Sequence, residues 1–141
     1  MPINIRARTL WEALQEPRRI TAAMMCAYTI FIVIGVVSLR DPSDYISQAW
    51  GAWFAYAWPA LTISGGVIGA AGTPRGRWWI ERAGLILCAT ATVTRIISLI
   101  FLHHAGAPGN QMIQVSFDSL ALVLLLIRWE RIKGAFLDPT R

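Results

Sequence analysis

Residues 83–102 read AGLILCATATVTRIISLIFL, an apolar run with Arg95 as its single charge. A hydrocarbon core of about 30 Å needs roughly 20 such residues, because a helix rises about 1.5 Å per residue. The run lies within a segment of about 79–103, and three further apolar segments, about 20–39, 49–71 and 111–128, have comparable length. Together they occupy most of the 141 residues, so 1–141 reads as a single membrane domain with short tails at 1–19 and 129–141. No segment alternates as a half-buried strand would. The fold class that follows is all-α, with four transmembrane helices in two antiparallel hairpins.

Charge fixes the expected orientation. Arg6, Arg8, Arg18 and Arg19, then Arg75, Arg77 and Arg82, then Arg128, Arg131, Lys133 and Arg141 fall on three segments of one side, whereas the two other connectors hold only Arg40. This is the positive-inside pattern, and it puts both termini on the cytoplasmic side of the membrane that the chain crosses. Only 15% of residues are charged and 55% are hydrophobic, which suits lipid as the solvent. The net charge of +5 sits beside the inner face, where anionic lipids attract it. It forms no stripe of the kind that binds nucleic acid.

Punctuation along the chain agrees. Thr9-Leu10-Trp11-Glu12 fits a capping box for a short helix ending before Pro17, either an interfacial anchor or a cytoplasmic stub. The first span stops at Arg40-Asp41-Pro42, and Asp41 to Gln48 reads as a polar connector. Trp50, Trp53 and Trp58 crowd the outer end of the second span, Trp78 and Trp79 open the third, and Trp129 closes the fourth, all positions where an indole bridges apolar and wet layers. Pro59 removes a backbone donor inside the second span and predicts a kink. Gly65, Gly69 and Thr73 form a GxxxG-type face that admits a neighbouring backbone, from the same chain or another copy.

The intramembrane charges point most directly to mechanism. Arg95 and Asp118 each lie roughly 10–12 Å from the turn between the third and fourth spans, so they reach one depth. Gly84, Cys88, Ala91 and Arg95 recur at helical spacing on one face, and Gln111, Gln114, Asp118 and Ala121 do so on the next helix. The two stripes are expected to face each other, with Asp118 as the one buried acid. They form either a structural pair locking register or, with Gln111 and Gln114, the lining of a water-filled path that responds to protonation or voltage. Cys26 and Cys88 read as lone thiols. His103 and His104 point apart, as an exposed pair or a titratable one.

No Ser/His/Asp set, metal-ligand spacing or phosphate loop is present in the sequence, so the chain is expected to be no enzyme and to need no cofactor or metal. Pro17-Arg18-Arg19-Ile20, the Gly65–Gly72 run and Trp78-Trp79-Ile80-Glu81-Arg82-Ala83-Gly84 give a layout that resembles small four-helix membrane proteins of actinobacterial bacteriophages, some of them holin-like and encoded in lysis regions. That resemblance implies a protein that self-associates as a homo-oligomer and permeabilises the membrane. Two alternatives stand beside it: a non-lytic accessory protein that binds another membrane protein or excludes superinfecting phage, and a small transporter. The transporter lacks the acidic residue in the first helix on which the small multidrug exporters rely.

Overall fold

A computed structural model describes residues 18–75 and 77–136. Among them four helices are long and apolar enough to cross a membrane, and no strand forms. The first, α1, runs Arg18–Arg40 and ends against Asp41 and Pro42. The connector then departs from the expected polar loop. From Ser43 it folds into α2, Asp44–Trp50, and only after Gly51 does the second span, α3, run Ala52–Gly72. Gly51 has φ +89°, a left-handed conformation that side chains resist, so residues 49–71 cannot form one continuous helix. Trp50 thereby belongs to α2, where it stacks on Phe54 and meets the edge of Phe101 at centroid distances of 5.7 and 5.3 Å.

A 3-10 turn, Thr73–Arg75, leads to α4, Trp78–His104, and α5 spans Gln111–Phe136. The turn between them uses Gly106 and Gly109, both at positive φ, and the Asn110 side chain accepts the Ile113 amide to start α5. Pro59 lies buried within α3, whose helical path continues through it.

Packing follows chain order: α1 on α3, α3 on α4, α4 on α5. The small residues of α3 explain the closeness. A Cβ at Gly66 would stand 2.9 Å from the Tyr28 carbonyl oxygen of α1, and one at Gly65 would stand 2.8 Å from the Cys88 amide nitrogen of α4. Gly69 lies under the Tyr28 ring, and Gly84 of α4 lies against the backbone of Gly69. Gly35 of α1 meets the Pro59 carbonyl, and Gly72 meets the backbone of Glu81. The Gly65/Gly69 face is therefore occupied by this chain's own α1 and α4.

The flanking helices are the exposed ones. Within the membrane-spanning windows 39% of α3 and of α4 is buried, against 17% of α1 and 11% of α5, so α3 and α4 form the interior. Ile30, Val33 and Val37 on α1 and Phe117, Leu120, Leu124 and Ile127 on α5 recur at helical spacing and are each more than half exposed. Such continuous apolar faces suit lipid or another membrane helix. Hydroxyls within the spans need neither. Thr29, Thr62, Thr92, Ser98 and Ser119 each donate to the carbonyl four residues earlier, at 2.7–2.9 Å.

Candidate functional site: two intramembrane ion pairs and a divided cleft

Arg95 of α4 and Asp118 of α5 meet, with Nε 3.4 Å from Oδ2. The contact satisfies an ion pair by distance, yet Oδ2 is buried and accepts no hydrogen bond, so the geometry is loose. Their side chains keep 25% and 16% of their surface exposed. On its other side the Arg95 guanidinium lies over the indole of Trp58, 5.2 Å from the ring centroid. Trp58 is thus turned inward, 7% exposed, unlike Trp53, which is 70% exposed.

Arg95 and Trp58 separate two cavities. One, of about 190 Å³, lies between α1 and α5 and is lined almost wholly by apolar groups, among them Met24, Phe31, Ile34, Ala121 and Leu125, with Asp118 at its wall. The other, of about 280 Å³, lies towards the 105–110 turn and mixes Ser38, Asp41, Ser43 and Gln114 with apolar residues. Gln111 is buried and donates to the Pro108 carbonyl at 3.0 Å, which ties down the turn. Of the four polar residues expected to act together, Arg95 and Asp118 pair, and Arg95, Gln111 and Gln114 all line the second cavity, with Gln111 also tied to the turn.

A second pair was missed in the sequence. Glu81, in the first turn of α4, is 2% exposed, so Asp118 is not the one buried acid. Arg128 of α5 grips it through two of its nitrogens, Nε to Oε1 at 2.7 Å and Nη2 to Oε2 at 2.8 Å, and is itself 5% exposed. Such a bidentate, charge-assisted contact is stronger and more directional than the Arg95–Asp118 pair. The Tyr28 hydroxyl, fully buried, approaches Glu81 Oε1 at 3.4 Å and brings α1 to the same point. Around it Tyr28, Leu85, Cys88, Leu125 and Ile132 form an apolar cluster, and the Arg82 guanidinium covers Trp129 at 4.5 Å. A signal existed. The face Gly84, Cys88, Ala91, Arg95 extends back by three to Glu81, and the face Gln111, Gln114, Asp118, Ala121 extends on through Leu125 to Arg128.

The remaining candidates stand apart. Trp50 and Trp78 are about two-fifths exposed and Trp79 about three-fifths, and Trp129 is half-buried. Thr73 donates to the Gly69 carbonyl at 2.7 Å. Cys88 and Ala91 are buried, and Cys26 is exposed. His103 and His104 are exposed with rings edge to face, and His104 Nδ1 lies 2.8 Å from the Ile100 carbonyl. Among the described residues no group of three or more His, Cys, Asp or Glu comes together as metal ligands would. The Thr9–Glu12 capping box, Arg6, Arg8 and Arg141 lie outside the described residues. Comparison with protein-family models, curated proteins and solved structures finds no match to this chain.

Proposed function

We propose that the chain is a non-lytic accessory protein of the bacterial cytoplasmic membrane. It crosses four times as two antiparallel hairpins with both termini inside, and acts by binding in the membrane rather than by opening an aqueous hole. One observation carries this reading. The groups a hole would need are engaged within a single chain: the Gly65/Gly69/Gly84 faces pack on α1, α3 and α4, and both intramembrane arginines face carboxylates. A water-filled assembly needs an unengaged polar face on some helix, and the exposed faces of α1 and α5 are mainly aliphatic and aromatic, with Gln114 an isolated exposed amide on α5. These two faces are the surfaces for another membrane protein, while Arg77, Arg82, Arg131 and Lys133 sit at the end that anionic lipid headgroups attract.

The holin-like reading is the second. The cleft between α1 and α5 favours it, since separation of those helices would bring Arg95, Asp118 and Gln114 to a common surface that further copies could line. Inducible expression in a bacterial host with a potential-sensitive dye distinguishes the two. Sustained accumulation with an intact membrane potential is the expected result. Abrupt depolarisation at a set time after induction would overturn the accessory reading and select the holin.

A further inference from the structure

At the end of the bundle where Glu81 and Arg128 neutralise each other, the surface keeps a surplus of positive charge. Arg82, Arg131 and Lys133 are exposed there beside the exposed Glu130, and among the described residues none of the three cations is in an ion pair. Arg82 lies over the Trp129 ring, 4.5 Å from its centroid, which holds the guanidinium at the seam between α4 and α5. From that point the seam is an apolar groove of about 240 Å³, with Ile86, Ala89 and Thr90 on one wall and Leu126 and Trp129 on the other. Both walls end in a cation. Arg82, Ile86 and Thr90 recur at helical spacing on α4, and Leu126, Trp129 and Lys133 do so on α5. From Arg82 to Thr90 the groove is about 12 Å long, most of one leaflet of a hydrocarbon core about 30 Å thick. Leu126 also borders a second, more open apolar surface on α5, which runs past Val123 and Ile127 to Glu130 and Arg131. Two apolar channels thus flank one ridge, with the three cations at their common end.

From this we infer that the seam binds one anionic, two-chain glycerophospholipid of the phosphatidylglycerol type. One acyl chain lies in the groove between α4 and α5, the other lies beyond Leu126, and Arg82 and Lys133 hold the phosphate with Arg131 beside them. Charge selects the head. A guanidinium and an ammonium both donate to phosphate oxygens, and Arg82 can do so bidentately while its face stays on Trp129. Glu130 offsets one cation, and the surplus that remains favours a head with net negative charge over a zwitterion. The lipid has a structural consequence. Only 11% of the α5 span is buried, and it packs on α4, so a lipid bound across their seam adds to that contact. The site belongs to a single chain, so it stands under either functional reading and under either orientation in the membrane.

The test uses the full-length protein in phosphatidylcholine nanodiscs with a trace of phosphatidylglycerol that carries a diazirine midway along one acyl chain. After photolysis the adduct is mapped by mass spectrometry, expected at residues 86–90 of α4 or 123–127 of α5. Unlabelled phosphatidylglycerol should compete about tenfold better than phosphatidylethanolamine, whose head is neutral overall. Each Lys or Arg near the surface favours an anionic lipid about fivefold, so Arg82→Gln and Lys133→Gln should each lower the preference by about that factor. Arg77→Gln, before the first turn of α4, is the control for charge that merely lies near the membrane, and should change the preference by less than about twofold. Ala89→Phe should fill the groove and move the adduct off α4. Equal competition by phosphatidylethanolamine, an adduct confined to α1 or α3, or a loss from Arg77→Gln as large as that from Arg82→Gln would overturn the inference. The wild-type competition and adduct position decide the matter even if a variant fails to fold.

Discussion

The Glu81–Arg128 pair offers the sharpest energetic test. Its partners are 2% and 5% exposed, and two nitrogens meet two oxygens at 2.7 and 2.8 Å. Among the described residues, replacing Arg128 with Met leaves the Glu81 carboxylate with one long contact, from the Tyr28 hydroxyl at 3.4 Å, in a pocket lined by Leu85, Cys88 and Leu125. Breaking a buried pair from one side costs about 3–5 kcal/mol, because the abandoned charge keeps its desolvation penalty. Whole-domain stabilities are about 5–15 kcal/mol, so either Arg128→Met or Glu81→Leu should remove about a fifth or more of the stability. The double variant abandons no charge and should recover most of the loss. Purified protein in mixed micelles, titrated with sodium dodecyl sulfate and followed by far-ultraviolet circular dichroism, reports the four free energies of the double-mutant cycle. Single losses below about 0.5 kcal/mol, or a double loss equal to the sum of the singles, would refute the reasoning.

Other expectations follow the same logic at different sites. Arg95→Leu and Asp118→Leu should each destabilise by less than the Glu81 and Arg128 variants, because the contact is longer and partly exposed, about 1–3 kcal/mol, with recovery in the double variant measured by the same titration. Gly84→Ala should cost about 1–3 kcal/mol, since its methyl would press on the rigid backbone of Gly69 and neither helix can yield alone. Val67→Ala, on the exposed side of α3, should change stability by no more than about 0.5 kcal/mol and serves as the control. Cysteine labelling from outside intact cells should modify residue 44 or 107 and spare residue 79 or 133, and the reverse would defeat the proposed orientation.

The spans were legible because length and hydropathy decide them: each is an apolar run of membrane thickness bounded by charge, proline or glycine. Where reading failed, a local signal had two meanings. Gly51 stands in the aromatic run Trp50-Gly51-Ala52-Trp53 and looks like one more span residue; only its left-handed backbone makes it a break. Glu81 lies in the first turn of α4 and Arg128 where the apolar stretch of α5 gives way to charge, beside Trp78, Trp79 and Trp129, where charges normally reach water, so their burial follows from Tyr28 and the cluster around it and not from either helix alone. The Arg95–Asp118 pair was legible because mid-span charges have few alternatives to each other. The partners of Gly65 and Gly69 were not, since glycine permits close approach without naming the approaching helix. The structure supplies Tyr28 and Cys88.

That the small-residue faces are consumed inside one chain is the central claim, and Gly69→Ala tests it most directly through the thermal midpoint at two protein concentrations. An added methyl at Gly69 would strike the buried Tyr28 ring of the same chain. A contact within one chain obeys no mass action, whereas a contact between copies makes the midpoint rise with concentration. The account expects wild-type and variant midpoints that are each unchanged over about a hundredfold dilution, with the variant lower by several degrees, as about 1–3 kcal/mol implies. A wild-type midpoint that rises with concentration, together with a variant that has lost that dependence, would place the Gly69 face between chains and contradict the account.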